Sequence, residues 1–160
     1  MARVYVGLGS NIDPENNLRL GIRELRARYG DVELSPAYRS APLGFDGEDF
    51  VNLVAGFDAS ETPHEIQQHI ESIHDLAGRS RGTDKFISRS LDIDLLLYDD
   101  LVLDRPRLPR ADVLDYSFVL RPLSELDPGL VHPVTGRRLA EHWAEFDASS
   151  HPLEPVDVIL

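Results

Sequence analysis

The sequence of 160 residues is long enough for a single core, so we expect one domain over 1–160. Its formal net charge of −12 argues against a general nucleic-acid binder, and the absence of cysteine excludes disulfides, thiol nucleophiles and cysteine-based metal sites. No apolar run approaches the ~20 residues of a membrane span, and the N-terminus lacks a signal-peptide pattern. We therefore expect a cytoplasmic protein that binds neither nucleic acid nor membranes, and a monomer, with a dimer as the alternative.

The first half of the chain predicts strands at 3–8, 32–38 and 50–57, the second of them broken by Pro36, and helices that begin at Pro14 and Pro63. Asp13 and Thr62 each precede one of these prolines and are the predicted N-caps. Gly30 is placed to end the first helix. The apolar stripe of the second helix is predicted to consist of Ile66, Ile70, Ile73 and Leu76.

The second half predicts a strand at 89–98, a short partner strand at 101–103, a proline-rich turn at 104–110, helices at 118–126 and 138–146, and an edge strand or surface-packed segment at 156–160. The order strand, helix, strand, strand, helix, strand is typical of a ferredoxin-like arrangement. We therefore predict an α+β fold with a mainly antiparallel sheet, helices packed on it, and C-terminal additions.

Two carboxylates stand out in the strand at 89–98. Because side chains alternate along a strand, Asp92 and Asp94 share one face, while Leu91, Ile93, Leu95 and Leu97 share the other. Neighbouring carboxylates repel each other and lose hydration on burial unless a cation neutralises them. Carboxylate oxygens suit Mg²⁺, which usually also takes oxygens from a phosphate substrate. The alternative is a half-exposed strand whose outer face is simply polar.

A basic segment immediately precedes this acidic strand and contains Arg79, Arg81, Lys85 and Arg89. Guanidinium groups bind phosphate oxygens in a bidentate manner. A polyphosphate ester bound to magnesium would satisfy the basic and the acidic groups together. The alternative is a solvated loop whose arginines pair with acidic residues elsewhere on the surface.

The six histidines show no metal-binding spacing. His69 and His74 lie on the same predicted helix but five residues apart, and therefore on different faces. Surface or capping roles are expected for them.

Four separated segments resemble one family, the 6-hydroxymethyl-7,8-dihydropterin pyrophosphokinases of folate biosynthesis. They are Val6–Asn11, Tyr38–Gly44 with Phe50–Asn52, Gly78–Arg81 with Arg89–Tyr98, and Phe118–Leu123. The segments occur in the family's order and cover most of the chain. The resemblance implies transfer of the diphosphoryl group of ATP to the hydroxymethyl group of a reduced pterin, with release of AMP.

The resemblance also implies roles for individual residues. Two Mg²⁺ ions are expected with ATP, held by Asp92 and Asp94, and these two residues with Arg79 and Arg89 form the implied catalytic set. The implied ATP contacts are Arg79, Arg81, Lys85, Arg89, Ile93, Arg110 and Tyr116. The implied pterin contacts are Ser40, Ala41, Leu43, Phe50, Asn52, Phe86 and Phe118. For Phe118 alone, ordinary core packing is the alternative.

The chain departs from the family pattern at four positions. The departures are Phe86 for a tryptophan, His74 for a helix glutamate, Arg110 for a histidine, and Tyr116 for an arginine. Two other functions are therefore kept as alternatives. One is a non-catalytic pterin or nucleotide sensor, and the other is a ferredoxin-like regulatory module that binds a different small ligand.

Overall fold

The computed structural model describes residues 1–78 and 90–160. Its strands are β1 (Ala2–Ser10), β2 (Glu33–Leu34), β3 (Ala37–Ser40), β4 (Phe50–Ala59), β5 (Asp92–Tyr98), β6 (Leu103–Asp104), β7 (Arg107–Leu108) and β8 (Glu154–Val156). Its helices are α1 (Pro14–Tyr29), α2 (Pro63–Leu76), α3 (Asp112–Asp115), α4 (Ser117–Leu126) and α5 (Leu139–Glu145). The last two confirm the helices predicted in the second half.

The main sheet has the strand order β5-β1-β4-β3-β8, with β2 also paired to β4. All of these pairings are antiparallel. The order of the first four strands, together with α1 and α2, is that of the predicted ferredoxin-like fold, which is confirmed. Of the segment predicted at 156–160, only Val156 lies in a strand, at the end of β8, while Val158 and Leu160 beyond it pack against the core.

Helices cover both faces of the sheet. Side chains of α1 and α2 pack against one face in the first core, and those of α3, α4 and α5 pack against the opposite face in the second core. The C-terminal additions therefore bury the face that α1 and α2 leave open, which a sheet with two apolar faces requires. No helix among the described residues is both long and apolar enough to cross a bilayer.

The two long helices begin where the sequence predicts, but by different means. Thr62 caps α2 through a capping box, in which Thr62 Oγ1 accepts from the Glu65 N–H and Glu65 Oε1 accepts from the Thr62 N–H. Asp13 lies at the predicted N-cap position of α1 with φ 44°, and its side chain makes no capping bond. Its carboxylate instead accepts hydrogen bonds from the side chain of Asn16.

Two predicted details are wrong, and one is confirmed. Leu76 is 62% exposed and lies outside the apolar stripe of α2, whereas His74 is 2% exposed and buried. The predicted break of the segment 32–38 at Pro36 is confirmed, since the segment forms β2 and β3 and Pro36 cannot donate to a ladder hydrogen bond. Leu103 pairs with Leu108 in a separate hairpin instead of pairing with β5.

The alternation predicted along β5 is interrupted by one extra residue. Leu95 pairs with Val6 and Leu97 pairs with Tyr5, so Leu96 is left over opposite β1. Such a bulge moves the following residue to the other face. Leu97 consequently packs in the second core and not, as predicted, beside Leu95 in the first.

Two histidines make the stability of this fold depend on pH. Burial, assisted by Arg28, lowers the pKa of His69, and burial followed by the effect of His142 lowers the pKa of His132. The unfolded chain therefore takes up these protons more readily than the folded chain. We expect the free energy of unfolding to fall as pH falls below the ordinary histidine pKa of ~6.5.

Urea denaturation between pH 7.5 and 5.5 measures this dependence, and His132→Asn isolates one contribution. His132 Nδ1 lies 3.2 Å from the Val134 and Thr135 backbone nitrogens and accepts from both, so the asparagine oxygen can replace it without titrating. The free energy of unfolding should depend less steeply on pH in this variant than in the wild type. His64→Asn, at an exposed position, should not reduce this slope. Equal pH dependence of the free energy of unfolding in the wild type and in His132→Asn would show that His132 does not contribute to it.

Candidate active site

A cavity of about 380 Å³ opens on the second face of the sheet, between the ends of β1, β3, β4 and β5 and the segment that joins β7 to α4. Ten of the residues that the sequence singles out line it: Ser40, Ala41, Leu43, Phe50, Asn52, Asp92, Asp94, Arg110, Tyr116 and Phe118. These residues come from four separated parts of the chain, and the fold brings them to one place.

The two aspartates lie beside two glycines on the neighbouring strand. Asp94 pairs with Gly7 and Asp92 pairs with Gly9, and cross-strand partners share a face of the sheet. Gly9 also pairs with Asn52 on β4. A Cβ atom at Gly9 would stand 2.3 Å from Asn52 Oδ1, so the missing side chain is what lets Asn52 lie across β1. The glycines thus leave the floor of the cleft open beside the carboxylates.

Among the described residues, Arg110 places a positive charge beside Asp94. Its Nη2 lies 3.4 Å from Asp94 Oδ1, and its Nε lies 3.1 Å from Asp112 Oδ2 in an ion pair whose N–H is poorly aligned. Its backbone N–H donates to the Leu96 carbonyl at 3.0 Å, which fixes the start of the side chain next to β5. Burial lowers the pKa of Arg110, but Asp94 and Asp112 outweigh burial and raise it, so the guanidinium stays charged.

Aromatic rings line the other half of the cleft. Tyr116 and Phe118 are stacked, with centroids 5.0 Å apart and planes 11° from parallel. Phe50 also lines the cleft and meets Phe45 edge to face at 6.3 Å. Phe118 both lines the cavity and packs against the second core, so core packing alone does not describe its position.

Ile93 and His74 occupy positions behind the cleft. The Ile93 side chain is 2% exposed and lies in the first core, so a contact between Ile93 and ATP would have to come from the backbone. The Ile93 N–H donates to His74 Nε2 at 2.9 Å. The predicted surface role of His74 is therefore wrong, since this buried ring binds the backbone between the two aspartates.

Several predicted residues lie outside the described part of the chain. They are Arg79, Arg81, Lys85, Phe86 and Arg89. The implied ATP contacts of the basic segment and the implied pterin contact of Phe86 therefore stay sequence-based expectations.

Sequence reasoning missed other residues that line the cleft: Gly7, Gly9, Phe45, Asp112 and His151. The two glycines carry a signal that could have been used, because each stands in a strand and glycine there often marks a close approach. Asp112 and His151 carry no such signal, since the position of Asp112 depends on the path from β7 to α3 and that of His151 on the path of the C-terminal tail.

The donor atoms of this site suit magnesium. Asp92 and Asp94 offer hard carboxylate oxygens at the cleft surface, and Asp94 is already beside a positive group. In the ranges 1–78 and 90–160, no three His, Asp or Glu side chains form a metal-binding group. A site of two carboxylates that takes further oxygens from phosphate and water is the usual arrangement for Mg²⁺.

A family model described as 7,8-dihydro-6-hydroxymethylpterin-pyrophosphokinase (HPPK) matches residues 5–128. Proteins named 2-amino-4-hydroxy-6-hydroxymethyldihydropteridine pyrophosphokinase match most of the chain. The Pseudomonas aeruginosa protein is 38% identical over 145 residues, which are 87% of this chain and 88% of that protein. The Aquifex aeolicus protein is 32% identical over 149 residues, which are 91% of this chain and 92% of that protein.

Solved structures show the same fold. The Plasmodium falciparum HPPK-DHPS chain matches with a TM-score of 0.73 and 11% identity, over 90% of this chain and 44% of that one. An HPPK-DHPS chain in complex with substrates gives a TM-score of 0.75 at 9% identity, over 92% of this chain and 44% of that one. The present chain thus spans less than half of these longer chains, and at such identities the likeness concerns the fold alone.

Proposed function

This chain belongs to the 7,8-dihydro-6-hydroxymethylpterin-pyrophosphokinase family, and from that premise we propose how its cleft binds two substrates. The protein is an ATP-dependent diphosphotransferase of folate biosynthesis. It transfers the diphosphoryl group of ATP to the hydroxymethyl group of 6-hydroxymethyl-7,8-dihydropterin. The hydroxymethyl oxygen forms a bond to the β-phosphorus of ATP. The bond between the β-phosphorus and the oxygen that bridges it to the α-phosphorus breaks, and AMP and a proton are released.

The reduced pterin occupies the aromatic half of the cleft in this proposal. Phe50 and Phe118 offer apolar ring faces for a flat heterocycle, and aromatic stacking favours offset parallel rings. Asn52 carries both a donor and an acceptor, as the hydrogen-bonding edge of a pterin does. The polar contacts are completed by Ser40, Ala41 and Leu43, which line the same wall.

The triphosphate of ATP occupies the acidic half, between β5 and Arg110. Asp92 and Asp94 would hold Mg²⁺, and we propose two ions. Bound magnesium would neutralise the negative charge of the phosphate oxygens and withdraw electron density from the reacting phosphorus. Arg110 and Tyr116 would contact the nucleotide from the α3–α4 side. Arg79, Arg81, Lys85 and Arg89 are proposed to bind phosphates from the segment outside the described residues.

The protein's own contribution is positioning and electrostatic complementarity. No residue needs to form a covalent bond to the diphosphoryl group, because the acceptor hydroxyl attacks directly. Holding two substrates in line converts an encounter in solution into a reaction within one complex. The adjacency of the aromatic wall and the two carboxylates in a single cavity is the observation that carries this proposal.

The deciding experiment supplies ATP, Mg²⁺ and 6-hydroxymethyl-7,8-dihydropterin and follows AMP together with the diphosphorylated pterin. Equal amounts of both products are expected, and neither should form when the pterin is omitted. Binding of both ligands by calorimetry without any AMP would instead identify a pterin or nucleotide sensor.

We also propose that the chain acts as a single-domain monomer in the cytoplasm and binds no nucleic acid. The net charge of −12 supports the last point. Helices over both faces of the sheet support a monomer, because they leave neither face of the described sheet open for a second copy.

Arg110→Ala should raise the KM for ATP by about tenfold, because a charge-assisted hydrogen bond to phosphate is lost. The KM for the pterin should change little. The double substitution Arg110→His with Tyr116→Arg, which restores the family pattern, should recover much of the loss. Steady-state kinetics with each substrate varied in turn measures both constants.

Arg107→Ala is the matched control, since Arg107 is exposed and lies three positions away on β7. It should leave both constants unchanged. An Arg110→Ala enzyme with the wild-type ATP dependence would show that Arg110 makes no contact with the nucleotide.

A further inference from the structure

His151 reaches the cleft from the C-terminal end of the chain. It follows a short 3₁₀ turn at Ala148–Ser150 and precedes β8. This position lies well beyond residues 5–128, which the family model matches. The imidazole nevertheless lines the same cavity as Ala41 and Phe118.

Three contacts hold this histidine in place. His151 Nε2 lies 2.7 Å from the Ala41 carbonyl oxygen, and its ring stands edge to face with Phe118 at 5.7 Å and 79°. Its own carbonyl accepts from Ser117 Oγ at 3.1 Å. The ring therefore touches both the wall that carries Ala41 and the wall that carries Phe118.

The hydrogen bond fixes where the proton sits. A carbonyl oxygen can only accept, so Nε2 must carry the hydrogen and donate it to Ala41. In the neutral ring, Nδ1 is then an acceptor. His151 therefore joins the two walls through its Nε2 donor and its ring edge, and Nδ1 of the neutral ring can accept a hydrogen bond from a ligand or water.

We propose that His151 is a positioning and specificity-determining residue of the acceptor pocket. His151 contacts both Ala41 and Phe118, and it therefore sets the distance between them. In the proposed complex, the wall that carries Ala41 forms hydrogen bonds to the edge of the pterin, and the pterin ring stacks on Phe118. This inference rests on the proposed placement of the pterin in the aromatic half of the cleft. ATP lies in the other half, so the effect of His151 should be confined to the acceptor.

Two substitutions distinguish the effect of the hydrogen bond to Ala41 from the effect of the size of the His151 side chain. His151→Gln keeps an N–H donor close to the position of Nε2, whereas His151→Leu keeps an apolar side chain and loses the donor. Loss of the bond should raise the KM for the pterin about fivefold to tenfold in the leucine variant. The glutamine variant should stay within about twofold of wild type, and the KM for ATP should be unchanged in both.

The dissociation constant of the pterin, measured by calorimetry, should follow the same pattern. His64→Leu, at an exposed position on α2, is the control for loss of a histidine and should match the wild type. Melting temperatures of all variants show whether the fold is retained. If His151→Leu does not fold, His151→Asn replaces it, because its shorter side chain cannot span the distance to Ala41.

An unchanged pterin KM in the folded leucine variant would overturn the inference and leave His151 as an anchor of the tail only. Equal increases in the KM for pterin and for ATP would overturn it too, since they would indicate a general disturbance of the cleft. Failure of the wild-type protein to form AMP would instead contradict the proposed function. The two failures are therefore distinguishable.

Discussion

Asp92→Ala and Asp94→Ala should each lower turnover by about 100-fold or more while the protein stays folded. Each substitution removes a proposed magnesium ligand and also relieves repulsion between two neighbouring carboxylates. The fold should tolerate the change, because both side chains face the cleft instead of a core. Turnover is measured as AMP release at saturating Mg²⁺, and folding by melting temperature.

Asp100→Ala is the control, since Asp100 is exposed in the turn directly after β5. It should retain wild-type turnover. A second readout avoids relying on activity alone: titration of Mg²⁺ into the protein with a non-hydrolysable ATP analogue should show weaker binding in both site variants. Near-normal turnover in either one would mean that the metal is held elsewhere.

Phe118→Ala should weaken pterin binding by roughly 1–3 kcal/mol, through lost stacking and lost apolar burial. The affinity for ATP should be nearly unchanged, because the ring lies in the aromatic half of the cleft. Calorimetry with the pterin alone gives the binding free energy directly.

Phe146→Ala offers a matched comparison. Phe146 packs against the same core as Phe118 and stacks on Trp143 at 5.7 Å, but it is not among the residues that line the cavity. Both variants should therefore lose some stability, and only Phe118→Ala should lose pterin affinity. Unchanged pterin affinity in a folded Phe118→Ala protein would assign the ring to the core alone.

Local patterns in the sequence were sufficient to predict the frame of the sheet. Pro14 and Pro63 mark helix starts, and the apolar runs of β1, β4 and β5 predict strands, because these signals depend only on near neighbours. The bulge at Leu96 could not be predicted, since it is a mismatch between two strands far apart in the chain. The same holds for the burial of His74, which depends on how α2 lies against β5.

The candidate site was predicted through resemblance more than through chemistry. A pair of aspartates on a strand indicates a cation, but only the fold shows that Asn52 and Phe118 reach the same cavity. The pairing of Arg110 with Asp94 and Asp112 also depends on the path from β7 to α3. The role of His151 was the hardest to predict from the sequence. The position of a residue in the C-terminal tail depends on how the preceding strands and helices pack.

The glycines opposite the aspartates bear on how this protein can be stabilised. Glycine in a strand costs about 0.5–1 kcal/mol relative to alanine, so a search for thermostable variants would select Gly7 and Gly9 as weak points. At Gly7 a Cβ atom would meet Leu96 at an ordinary 3.6 Å, and the substitution would fit while filling the floor of the cleft beside Asp94. At Gly9 it would collide with Asn52. Substitutions that raise thermal stability therefore belong on the opposite face of the sheet, because a side chain at Gly7 would block access to the carboxylates and one at Gly9 would not fit beside Asn52.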